Sequence, residues 1–163
     1  PAETVAEFDA IIMATLEQSQ RFEVVSLSRA DSLRRFGAES FSSAAALPHA
    51  LLATLRREFA AEAVLLVDLT VYSSYRPISL GLRAKLAAID GSRLIWTFDN
   101  LFSADNPAVA NAARRHFIDA DRRVPADMTH GALLSPSRFA TYASTTMFAT
   151  LPPVLPPPVV VKR

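Results

Sequence analysis

The chain has 163 residues, 50% of them hydrophobic and 20% charged, with a formal net charge of +1 and no cysteine. This composition excludes a disordered chain, which would be less apolar and more charged, and it excludes disulfide scaffolds, Cys-based zinc sites and thiol nucleophiles. A near-neutral chain has no bulk electrostatic pull toward nucleic acid or an anionic membrane, and no apolar run reaches the length of about 18 residues that a membrane helix needs.

Val5, Phe8, Ile12 and Leu16 recur at spacings of three and four, which predicts a first helix ending near Ser19 and Gln20. Phe22, Val24 and Val25 then read as a short strand. Ser28 with Asp31 three residues on marks a helix start, because the hydroxyl accepts a free backbone N–H and the carboxylate complements the helix dipole. That helix ends near Phe36, with Gly37 as its C-cap. Residues 40–46 are small and polar and read as a loop. Leu47, Leu51, Leu55 and Phe59 recur every four residues and predict a second long helix, with Pro48 in its first turn.

Residues 63–72 are apolar on both faces, which predicts a central strand covered on both sides. Residues 72–77 break or bend the chain. In 79–89, Leu80, Leu82, Ala84, Leu86 and Ala88 alternate with Gly81, Arg83, Lys85 and Ala87, the pattern of a strand with one wet face. Asp90-Gly91 is a hairpin turn, and Leu94, Trp96 and Phe98 on the return strand 93–99 face the same core. These three strands form an antiparallel meander. Asn106 caps a helix over 107–117 that has Pro107 at its first position. Residues 118–134 read as irregular. Ser135-Pro136 opens a last helix carrying Phe139, Tyr142, Ala143, Thr146 and Leu151. The expected architecture is one α+β domain over 1–151, helices packed on a mostly antiparallel sheet, followed by an extended Pro-rich tail over 152–163.

Chemistry-bearing motifs are sparse. His49, His116 and His130 lack paired metal-ligand spacing, and the first two suit helix-end or surface roles. Asp119, Asp121 and Asp127 could hold a weak cation but fit a solvated loop. No G-x-S-x-G elbow, G-x-G-x-x-G turn or Walker loop occurs. No catalytic residue, cofactor-binding residue, cofactor or metal ligand is therefore assigned. Asp68 stands out as a carboxylate inside an apolar strand. If buried it needs hydrogen bonds or a cation, and pairing with Arg83 or Arg93 or capping of a loop would supply them. Tyr72, Tyr75, Arg76 and Pro77 place aromatic rings and a guanidinium beside a strand end, a composition suited to an interaction surface. Alternatively the rings close the sheet edge over the core. The pairs Arg34-Arg35, Arg56-Arg57, Arg114-Arg115 and Arg122-Arg123 read as solvated positions that form a patch only if the fold gathers them.

The stretch AEAVLLVDLTVYSSYRPISLGLRAKLAAIDGSRLIWTFDNLFSADNP, residues 61–107, resembles a segment of small, often lipoprotein-like bacterial envelope proteins. Tyr72, Tyr75, Arg76, Pro77, Gly91 and Trp96 match its pattern. FEVVSLSRADSLRR, LLATLRREFAAEAVL and LSPSRFATYASTTMFATLPP resemble flanking segments of the same group. In architecture these proteins are similar to the curli secretion channel protein, the N-terminal domain of the Tol translocation protein and the lipoprotein activators of peptidoglycan synthases. Such domains open with a strand that residues 1–4 are too short to supply. The resemblance implies a periplasmic or outer-membrane location, with the membrane reached only through a lipid anchor upstream. It brings no catalytic set.

The expected function is a non-enzymatic envelope accessory or assembly factor that acts through protein contacts, as a monomer or weak dimer, without nucleic acid. The contacts would come from the 72–77 loop and a neighbouring sheet edge, with the tail as a second contact lying in a partner's groove. Two alternatives are a small hydrolase or ligand-binding domain using Asp68 or the 119–130 loop, and a nucleic-acid-binding module.

Overall fold

The computed structural model describes residues 2–120, 133 and 135–153. Its elements run α1 (Ala2–Gln18), α2 (Arg29–Phe36), α3 (His49–Phe59), β1 (Ala63–Ser73), β2 (Ser79–Ala88), β3 (Leu94–Ser103), α4 (Pro107–Ala120) and α5 (Pro136–Phe148). The fold is α+β, with a three-stranded antiparallel sheet in the order β1-β2-β3.

The helix ends follow local chemistry. Ser28 Oγ accepts the Asp31 N–H at 3.0 Å, and Gly37 closes α2 at φ 71° with its N–H on the Leu33 carbonyl. Asn106 Oδ1 accepts the Ala108 N–H at 2.9 Å at the start of α4. Ser135 caps α5, with Pro136 as its first residue. Helix α3 departs in detail. Pro48 is its N-cap rather than a first-turn residue, and the buried positions are Leu51 and Leu52, so the apolar stripe is narrower than the four-residue repeat suggests. Leu151 lies beyond α5, buried in a turn whose N–H reaches the Phe148 carbonyl.

Leu80, Leu82, Ala84 and Leu86 of β2 point into the main core with Trp96 and Phe102 of β3. Helices α1 and α5 pack together beneath them, joined by α4 through Ala113. Small residues Ala140, Ala143 and Ser144 let α5 approach its neighbours closely, while Phe139 and Met147, both 0% exposed, fill the space between. Trp96 Nε1 donates to Thr150 Oγ1 at 3.1 Å, which ties β3 to the end of α5. Trp96, Phe98 and Phe102 stack along β3, and Phe102 meets Tyr142 edge-on.

Three strand expectations are corrected. Residues 22–28 form no strand. Phe22 and Val25 are exposed, and Val24 alone packs against the core, because this segment has no ladder partner. β1 is an edge strand, not the central one, since two short antiparallel connections put β2 in the middle. Its apolar run serves two faces. Leu65, Val67 and Leu69 join the core, while Val64 and Leu66 are half-buried on the other side. Leu94 does not share a face with Trp96. Leu86 is opposite Trp96 but Ala87 is opposite Leu94, so Ile95 is an extra residue that reverses the alternation and leaves Leu94 55% exposed.

A second bulge sits at Thr70, between the pairs Leu69–Leu82 and Val71–Gly81. It explains Gly81: a Cβ there would lie 2.5 Å from Thr70 Oγ1 and 3.0 Å from Val71 Cβ. The expected irregular stretch and the tail fall mostly outside the described residues. Ile118, Asp119 and Ala120 belong to α4, and Pro152 and Pro153 follow α5 without regular structure.

Candidate functional site

The β1–β2 connection is anchored at both ends. Ile78 is 2% exposed and its carbonyl accepts the Ala104 N–H, while Ser79 Oγ meets Ser103 Oγ at 3.2 Å. Ser73 Oγ donates to the Tyr75 carbonyl. On this base Tyr75 is 84% exposed, with Tyr72, Arg76 and Pro77 also exposed. The Tyr75 ring therefore does not close the sheet edge over the core. The four residues share one end of the sheet, where Val71 and Leu101, both opposite Gly81, add exposed apolar surface.

Asp68 is half-buried rather than buried, because β1 lies at the sheet edge. Its Oδ2 accepts from Ser42 Oγ (2.9 Å), the Ser43 N–H (2.9 Å) and Ser43 Oγ (2.8 Å). Of the roles weighed for it, loop capping is the one seen. Arg83 lies opposite in register but gives its Nε to Asp99 Oδ2 at 2.8 Å, and Arg93 makes no ion pair among the described residues. Asp68 thus fastens the α2–α3 connection to the sheet. Lys85 Nζ adds a second tie, donating to the Ala45 carbonyl at 2.7 Å.

The remaining candidates stay apart. His49 is the exposed first residue of α3. His116 packs edge-on against Phe117 and Tyr142, and burial pushes its pKa below the ordinary imidazole value, with Asp119 opposing. His130, Asp121, Asp127 and Arg122-Arg123 lie outside the described residues. Among the described residues no group of three or more His, Asp or Glu side chains could hold a metal ion. The α2 and α3 arginine pairs adjoin, since Arg35 and Arg57 meet at one carboxylate, but Arg34, Arg35, Arg57 and Arg114 are held by acidic or amide partners rather than left as an open basic stripe. Arg34 binds Asp31, Arg35 and Arg57 bind Glu58, and Arg114 Nη1 donates to Asn111.

One constellation escaped the sequence reading. Asp68, Arg83 and Asp99 lie in a row across the three strands, and Leu66, Lys85 and Thr97 form the next row on the same face. The signal was available in the Arg83-x-Lys85 spacing on the wet face of β2, but its partners on β3 depend on a register that the Ile95 bulge shifts. The chain matches no protein-family model, no curated protein and no solved structure. Its chemistry must be argued from these residues alone.

Proposed function

We propose that this protein is a non-enzymatic accessory or assembly factor of the bacterial cell envelope, working through protein–protein contacts made by the β1–β2 loop. The observation that carries the reading is Tyr75, 84% exposed on a loop whose ends are tied to the sheet. A loop tied at both ends needs less backbone ordering on binding, and aromatic and Arg residues are enriched among interface hot spots. Tyr72, Arg76 and Pro77 extend the same surface. The envelope assignment is supported by the resemblance of residues 61–107, which includes these positions, and the partner is accordingly an envelope protein. The reading needs no cofactor, metal or nucleic acid.

The test is photo-crosslinking in intact cells with Tyr75→p-benzoylphenylalanine, with the same probe at Leu33 on α2 as control, alongside cell fractionation and the mass of the mature N-terminus. The expected result is one discrete adduct at position 75, absent at 33, lost when Arg76→Ala is added, and found in the envelope fraction. An unprocessed protein in the soluble cytoplasmic fraction, or identical adducts at both positions, would falsify the reading.

A further inference from the structure

The sheet face opposite α1 and α5 is only half covered. The loop around Ser42, Ser43 and Ala45 lies over the β1 side and stops at Lys85, leaving Thr97 and Asp99 of β3 exposed. At that boundary is a cleft of about 180 Å³ lined by Ser43, Arg83, Lys85, Thr97 and Asp99. Arg83 and Lys85 are two residues apart on β2, so both project from the same face at a spacing of about 7 Å.

Both cations are oriented but not saturated. Asp99 holds Arg83 through Nε, on the side of the guanidinium, and among the described residues its two terminal Nη groups have no hydrogen-bond partner. Lys85 has three donors and one is committed to the Ala45 carbonyl. The Thr97 hydroxyl likewise has no partner among the described residues. The anions nearby are accounted for: Asp68 Oδ2 receives three donors from Ser42 and Ser43, and Asp99 pairs with Arg83. Asp68 and Asp99 offset the formal charge of Arg83 and Lys85, so attraction comes from uncommitted donors rather than a net field.

We propose that this cleft binds a carboxylate group, taken by the Arg83 fork and the Lys85 ammonium with Thr97 as a further donor. A planar pair of oxygens matches the guanidinium fork. A phosphate dianion fits less well, because Asp68 and Asp99 repel a second negative charge more than a first. The volume suits one carboxylate-bearing side chain or a small free acid, not a nucleotide. This inference is independent of the role given to Tyr75.

The test is a titration of the ¹⁵N-labelled protein with N-acetyl-glutamate amide, with N-acetyl-glutamine amide as the neutral isostere, followed by amide shifts. The glutamate probe should shift Arg83, Lys85, Thr97 and Asp99 saturably and the glutamine probe should not. Arg83→Gln and Lys85→Gln should each weaken binding at least tenfold, while Lys85→Arg retains it. A Gly-Gly-Glu-Gly-Gly peptide capped at both ends, compared with glutarate, separates the sources. Tighter binding of the peptide marks a segment of a docking protein, and tighter binding of glutarate marks a free metabolite. Lys85→Gln removes one exposed side chain and keeps the test open if Arg83→Gln fails to fold. Equal shifts from both probes, no shift at tens of millimolar, or unchanged affinity in Lys85→Gln would overturn the proposal.

Discussion

On one side of the sheet Leu80, Leu82, Ala84 and Leu86 meet Phe8, Phe139 and Met147, all buried. On the other side Asp68 meets Ser42 and Ser43, Lys85 meets the Ala45 carbonyl, and Arg83 meets Asp99 across the strands. The contrast is energetic as well as chemical. Each large apolar side chain buried on the first face contributes about 1.5–3 kcal/mol. Each hydrogen bond on the second contributes about 0.5–1.5 kcal/mol, and the exposed ion pairs Arg35–Glu58, between α2 and α3, and Arg29–Asp9, between α2 and α1, contribute about 0–1 kcal/mol each. The first face sets global stability. The second fastens the α2–α3 connection to β1 and β2, and α3 adds only Leu51 and Leu52 as buried apolar residues, so this part opens at lower cost than the whole domain.

The sharpest way to test that division is to damage each face in turn. Phe139→Ala or Leu82→Ala removes a fully buried side chain and should cost about 3–5 kcal/mol in urea denaturation, shifting the midpoint for every probe together. Gly81→Ala should cost about 1–3 kcal/mol, because the new methyl overlaps Thr70 Oγ1 in the bulge. Adding Thr70→Ala should recover part of that loss, and strict additivity of the two changes would show that the bulge is not what requires glycine. Asp68→Ala should cost less, about 1–2 kcal/mol, by leaving the Ser43 N–H and hydroxyl without their acceptor. Its signature is local: hydrogen exchange should speed up across 29–59 while the amides of α5 keep their protection. Uniform loss of protection would remove the distinction between the faces.

Two smaller effects belong to the apolar side. Ser144 Oγ is buried without a hydrogen-bond partner among the described residues, so Ser144→Ala should stabilise the domain by up to about 1 kcal/mol in thermal melts. His116 titrates below the ordinary imidazole value because burial disfavours its charged form. The unfolded chain then binds more protons than the folded one as pH falls through the unfolded value of about 6.5. Stability should therefore be higher at pH 8 than at pH 5.5, and His116→Gln should flatten that part of the profile.

Periodicity and capping chemistry made most of the fold legible. The alternation in 79–89 with Asp90-Gly91 located the meander, and Ser28, Gly37, Asn106 and Ser135 marked helix ends because each acts within a few residues of itself. What failed depended on distant partners. Residues 63–72 carry apolar groups on both faces whether the strand is central or lies at an edge half covered by a loop, so its place in the sheet was misread. Leu94 was assigned to the core because a bulge changes alternation without changing composition. The 72–77 surface was legible by residue type, and its exposure followed from how Ile78 and Ser79 tie its base. The Arg83–Lys85 cleft was not legible, since its other wall comes from a loop 40 residues upstream that is held there by Asp68.

The single tryptophan has an optical consequence. Trp96 stacks on Phe98 and is tied to Thr150 at the end of α5, wholly on the apolar side of the sheet. Its emission will follow melting of the main core and remain silent while α2 and α3 detach. A fluorescence unfolding curve will look like a single step even when the polar layer has already come away, whereas tyrosine-free labels on α3 would register the earlier event.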